Sequence, residues 1–131
     1  MKRKNDILGL KVISIAEGCS VGIIKEVVID PREYFIKALL VSNEKKWFYG
    51  AEVLPFENIV SIGEFGIMIN TTTCLAPLHA DNEIISMLNT DINLIGVSVL
   101  SKNGMLLGTT IDYIFNDKGK IIYCEIEKNA T

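Results

Sequence analysis

Two stretches of this chain carry the same pattern, and that repetition constrains the fold more than any single motif. Ile7-Leu-Gly-Leu-Lys-Val-Ile matches Leu94-Ile-Gly-Val-Ser-Val-Leu position for position. Gly18 and Gly22 match Gly104 and Gly108, Asp30 falls opposite Asn116, and Ile36-Lys-Ala-Leu-Leu lines up with Ile122-Tyr-Cys-Glu-Ile. Each copy reads as strand, turn, strand, turn, strand. In the first, Leu8–Ala16, Ile23–Asp30 and Tyr34–Ser42 supply β-branched bulk. Glu17–Gly22 and Asp30-Pro31-Arg32-Glu33 supply the turns, Pro31 presetting φ and Asp30 offering an acceptor to the backbone ahead. In the second copy the strands are Leu94–Leu100, Met105–Phe115 and Lys120–Glu127, with turns at Ser101–Gly104 and Asn116–Gly119. Ile23, Val27 and Ile29 share one face of their strand with Lys25, and Ile24 and Val28 share the other with Glu26. A strand apolar on both faces suits a barrel or sandwich covered on its outside.

The halves are unequal. The first continues past a polar turn, Asn43–Lys46, into Trp47-Phe-Tyr and then Val53-Leu-Pro-Phe-Glu, where Pro55 ends strand pairing for lack of an N–H. A hairpin of Ile59–Ile62 and Gly66–Ile69 follows. Thr71–Ala80 has no periodicity, and Asp81 or Asn82 then caps a short helix with Ile84 and Leu88 one turn apart. The second copy stops after its third strand. The expected organisation is a barrel-like domain over 5–70, a linker with a short helix over 71–92 and an incomplete second repeat over 93–131. Open sheet edges invite pairing. The second repeat therefore packs on the first, pairs with another copy in a homodimer, or belongs to a longer chain.

Composition narrows the function classes. Of 131 residues, 49% are hydrophobic and 22% charged, enough apolar matter for a packed core. A net charge of −3 argues against charge-driven nucleic-acid binding, which needs a basic face. The mean hydropathy of +0.32 comes from residues spread along the chain. No apolar run approaches the ~20 residues that span a bilayer, and no signal-peptide core follows the basic start, so a cytoplasmic protein without membrane insertion is expected. Three cysteines without a C-x-x-C pair support neither a disulfide framework nor a zinc knuckle.

The pattern Leu-Gly-x-x-Val-Ile, Gly-x-x-x-Gly, a β-branched run ending at Asp30-Pro31, a further strand and then Val53-Leu-Pro-Phe-Glu-Asn-Ile-x-x-Ile-Gly resembles the PRC-barrel family. The resemblance covers residues 6–70 well and 93–127 in part. It implies an all-β protein built from a small PRC-barrel-like β-barrel repeated twice, the second copy incomplete, with a short linker helix. It also implies a non-enzymatic protein-interaction or assembly module of a bacterial cytoplasm, without a cofactor and with a protein partner. Among relatives the chain is most similar to small stand-alone bacterial proteins, some linked to sporulation. The alternative is an accessory factor in RNA or ribosome metabolism that acts through a protein partner.

The residues offer few rivals to that reading. Glu26, Asp30 and Glu33 lie close in sequence, but Asp30 reads as a turn residue and Glu26 as a solvated strand position. His79, the one histidine, has only Cys74 nearby as a second ligand, which is short of a metal set. Cys19 lies in the first turn, where nothing nearby marks it as a redox thiol. Trp47 and Tyr49, preceded by Lys45 and Lys46, form the densest aromatic cluster and are the candidate protein-binding residues. Aromatics beside lysines also suit single-stranded RNA.

Overall fold

The computed structural model describes residues 2–42, 51–89 and 94–128. Its described elements are β1 (Lys2–Arg3), α1 (Lys4–Ile7), β2 (Lys11–Ser14), β3 (Cys19–Asp30), β4 (Phe35–Ser42), β5 (Glu52–Pro55), β6 (Ile59–Ile62), β7 (Gly66–Ile69), β8 (Ala76–Pro77), α2 (Asn82–Asn89), β9 (Ser98–Leu100), β10 (Leu106–Phe115) and β11 (Ile121–Glu127). The fold is all-β, its strands falling into two sheets. The larger runs β6-β7-β2-β3-β4-β5-β8. In it β2 and β7 are parallel and every other pair antiparallel. In the smaller sheet β10 is central, with β11 on one side and β1 and β9 sharing the other.

Local chemistry sets the element ends. The expected first strand begins at Lys11 instead of Leu8, because Gly9 takes φ +85° and turns its N–H to the Ile24 carbonyl (2.8 Å). The polar lead becomes β1 and α1. β5 stops at Pro55, which cannot extend the ladder. Asp81 caps α2 as expected, its Oδ1 accepting the Ile84 N–H (3.1 Å). Ile84 is buried with Val28, Ala38, Leu40 and Val53, so α2 covers one face of β3 and β4. Its Glu83 also reaches Lys37 of β4 (3.8 Å). The stretch expected as a plain linker holds two 3-10 turns and β8, which pairs with β5. Glu17 ties it down. Its carboxylate accepts from the Ser14 hydroxyl, the Thr71 hydroxyl (3.2 Å), and the Thr72 hydroxyl (2.9 Å) and N–H (3.3 Å). These donors, Ser14 foremost, hold its pKa down to about 2.

The main core lies against the other face of β3 and β4. Ile24, Val27, Ile29, Ile36, Leu39 and Val41 meet Ile7, Val12, Leu54, Ile67 and Ile69 there, and Tyr113 and Phe115 of β10 join them. Phe56, just after β5, meets the Phe115 ring edge-on at 6.0 Å between centroids.

β2–β3–β4 and β9–β10–β11 share unusual backbone detail. Gly96 repeats Gly9, with φ +83° and its N–H on Thr110 O (2.7 Å). The ladders skip Val21, Lys25 and Lys37 in the first unit and Leu107, Ile111 and Ile122 in the second. Glu26 and Asp112 each accept the following N–H (2.9 and 2.8 Å). Asp30 and Asn116 each accept the N–H two residues on (2.8 and 3.0 Å). Tyr34 (φ 54°) stands where the second unit has Gly119 (φ 83°). These registers set Ile121, not Ile122, in the place of Ile36, because the Asn116–Gly119 turn is one residue shorter than its counterpart. The two turns also meet: Ile36 N–H donates to Gly119 O (2.8 Å) and Ile121 N–H to Tyr34 O (3.2 Å). That reciprocal bridge centres on Phe35 and Lys120.

Candidate functional site

With the units superposed by register, each side chain of the second has a counterpart in the first. Cys19, Ser20, Lys25 and Lys37 correspond to Met105, Leu106, Ile111 and Ile122. Lys25, a skipped residue pushed outward by its bulge, is exposed as a charged residue should be. Its counterpart Ile111 is exposed too, and apolar. Met105 (66%), Leu106, Leu107, Leu100, Ile122, Tyr123 (59%) and Ile126 extend the exposed apolar surface through all three strands of the unit. Leu106 lies opposite Leu100, and Tyr123 opposite Ile114.

The third strands differ most. β4 is buried along most of its length, because β5 pairs with Ala38–Val41 and α2 and the main core cover its two faces. The corresponding run of β11, Tyr123–Ile126, has no strand along its outer edge among the described residues. Among the described residues, that edge is open to a partner strand.

Polar chemistry is confined to ties between the parts. Lys4 of α1 pairs with Glu26 (3.4 Å) and lies 5.9 Å from the Tyr113 ring centre. Asn5 N–H reaches the buried Asp112 (3.4 Å), and Arg3 holds Glu125 (2.6 Å). Burial, and then the Glu26 and Asp112 carboxylates, push the Tyr113 phenol pKa up, so the hydroxyl keeps its proton. These contacts fasten β1 and α1 across both units. An open groove of about 500 Å³ runs between Phe56–Ile62 and Phe115–Asp117. Its charged residues, Lys2, Glu57 and Asp117, are of mixed sign and select neither anion nor cation.

The residues singled out from sequence are dispersed. Trp47, Tyr49, Lys45 and Lys46 lie outside the described residues. Asp30 serves its turn, Glu26 its own strand and Lys4, and Glu33 is exposed. Cys74 packs against the main core, His79 sits on the Leu78–Ala80 turn, and Cys19 is exposed. Among the described residues no group of three His, Cys, Asp or Glu side chains could hold a metal ion. No helix among them is long and apolar enough to cross a membrane. The apolar surface of the second unit is a site that motif and aromatic-cluster reasoning does not single out. Its signal in the sequence is that Met105, Leu106 and Ile111 stand where the first copy has Cys19, Ser20 and Lys25.

A family model described as the PRC-barrel domain matches residues 1–74, which take in β1 through β7 and stop short of the second unit. No curated protein matches the chain.

Proposed function

Since the chain belongs to the PRC-barrel family, we propose that it is a non-enzymatic protein-interaction or assembly module whose contact surface is the β9–β11 unit. The observation that carries this reading is the exchange of polar for apolar side chains between corresponding exposed positions. Nine large apolar side chains between Val97 and Ile126 are 37% to 66% exposed. Apolar side chains at that exposure, gathered in one unit, mark an interaction site. The finer reading, a sporulation-linked role in a bacterial cytoplasm, rests on the sequence resemblance alone.

The test is affinity capture from host extract with the wild type, Met105→Lys, Tyr123→Lys and Phe65→Lys. Phe65 is exposed and apolar but lies on the β6–β7 turn. The wild type and Phe65→Lys should hold the same proteins, and the other two variants should release them. Equal capture by all four removes the reading. Recovery of ribosomal proteins on the β9–β11 surface would assign the chain to the ribosome-linked alternative.

A further inference from the structure

We propose that the strand seated on the outer edge of β11 is β11 of a second copy of this chain, forming a two-fold dimer with a continuous sheet. The proposal rests on the interaction-module reading and names the partner. The first unit shows what this edge accepts. β5 lies antiparallel along Ala38–Val41, with Pro55, which lacks an N–H, opposite Ala38. Leu39 and Val41 are therefore the residues that exchange hydrogen bonds with β5. Cys124 and Ile126 hold those places on β11, so their N–H and C=O groups face outward.

A seven-residue strand centred on Cys124 is suited to pairing with itself. A two-fold axis at Cys124 sets Ile122 of one copy opposite Ile126 of the other, and Tyr123 opposite Glu125. Moving the axis to Glu125 would face that carboxylate on its own counterpart, and like charges directly opposite are destabilising. Charge thus favours the axis at Cys124 over the one at Glu125. The chain already uses a contact of this symmetry, the reciprocal pair of hydrogen bonds between the Tyr34 and Gly119 turns. Ile122, Tyr123 and Ile126, all exposed, would be covered by the pairing.

Light scattering across a micromolar-to-millimolar concentration series should show the wild type passing from monomer to dimer. A chain carrying Ile122→Lys and Ile126→Lys, and another carrying Ile122→Glu and Ile126→Glu, should each dimerise at least tenfold more weakly. Mixed, they should form a heterodimer, because the register places each lysine opposite a glutamate; that rescue also shows that both variants are folded. A chain with Cys19→Ser and Cys74→Ser, treated with diamide, should give a reducible dimer through Cys124. Residues directly opposite in an antiparallel pair lie ~4.5–5.5 Å apart at Cα, within the ~4.4–6.8 Å of a disulfide. A wild type monomeric throughout the series, or a mixture that fails to pair, overturns the proposal. If Tyr123→Lys still releases captured proteins in that event, the interaction-module reading stands and the partner is another protein.

Discussion

The β2–β4 and β9–β11 units share a backbone and differ in their surroundings. Glycines at positive φ, skipped residues and Asx turns recur at corresponding places in both. A close approach recurs as well. A Cβ on Gly22 would lie 2.5 Å from Val41 Cγ1, and one on Gly108 would run into the Glu127 carbonyl. Backbone path is thus set by local chemistry common to both. Burial is set by what lies alongside: β4 has β5, α2 and a core on its second face, and β11 has no outer neighbour among the described residues. The first unit spends its apolar residues inward, and the second carries apolar residues on its surface.

The largest contrast should come from corresponding core positions. Leu39→Ala empties a fully buried site and should cost about 2–5 kcal/mol. Cys124→Ala, at the corresponding exposed place, should change stability by less than about 0.5 kcal/mol. Denaturant titration at a concentration where the chain is monomeric compares them, and equal losses there would mean that β11 is covered within a single chain. Next come the two turns. Gly119→Ala meets both a positive φ and the Phe56 ring at 2.9 Å, and should cost about 1–3 kcal/mol. Tyr34→Gly relieves a left-handed residue worth ~1–2 kcal/mol and loosens the unfolded chain by ~0.5–1 kcal/mol, so it should be neutral to slightly stabilising. A clear loss at Tyr34 would show that its ring is needed at the bridge.

The smallest effect concerns acid. The Glu17 pKa is about 2 in the folded state against 4.5 ordinarily, so its contribution is complete above the ordinary value and fades as pH falls toward 2. No carboxylate takes this role in the second unit, where the Ser101 hydroxyl accepts the Met105 N–H instead (3.1 Å). Protection of the Thr71 and Thr72 amides, taken relative to intrinsic exchange at each pH, should therefore fall on acidification before that around Met105. Glu17→Gln should lower that protection at neutral pH and flatten its pH dependence. Equal acid response at both turns would remove Glu17 as the cause.

Strand existence and the recurring glycine spacing were legible because β-branched runs and turn glycines are local. Pro55 and Asp81 also carried their own meaning, as a stop and a cap. The third-strand alignment slipped by one residue because a shortened turn leaves no trace when both Ile121 and Ile122 can match Ile36. That slip set Lys37 against Tyr123 and hid its exchange for Ile122. β1 and β8 were not legible, since two-residue strands have no period and exist only through their partners. The entry of Tyr113 and Phe115 into the first unit's core was invisible for the same reason: it depends on long-range packing.

The pairing of Lys2 and Arg3 with Phe115 and Ile114 has a consequence for how the molecule is made. On the ribosome the first strand emerges long before its partner exists, and the main core lacks two aromatic rings until β10 follows. Such distant closure makes folding slow and keeps apolar strands uncovered during synthesis. The part that matches the family model thus matures only once its sequel has been translated, and a nascent chain arrested after β7 should remain protease-sensitive.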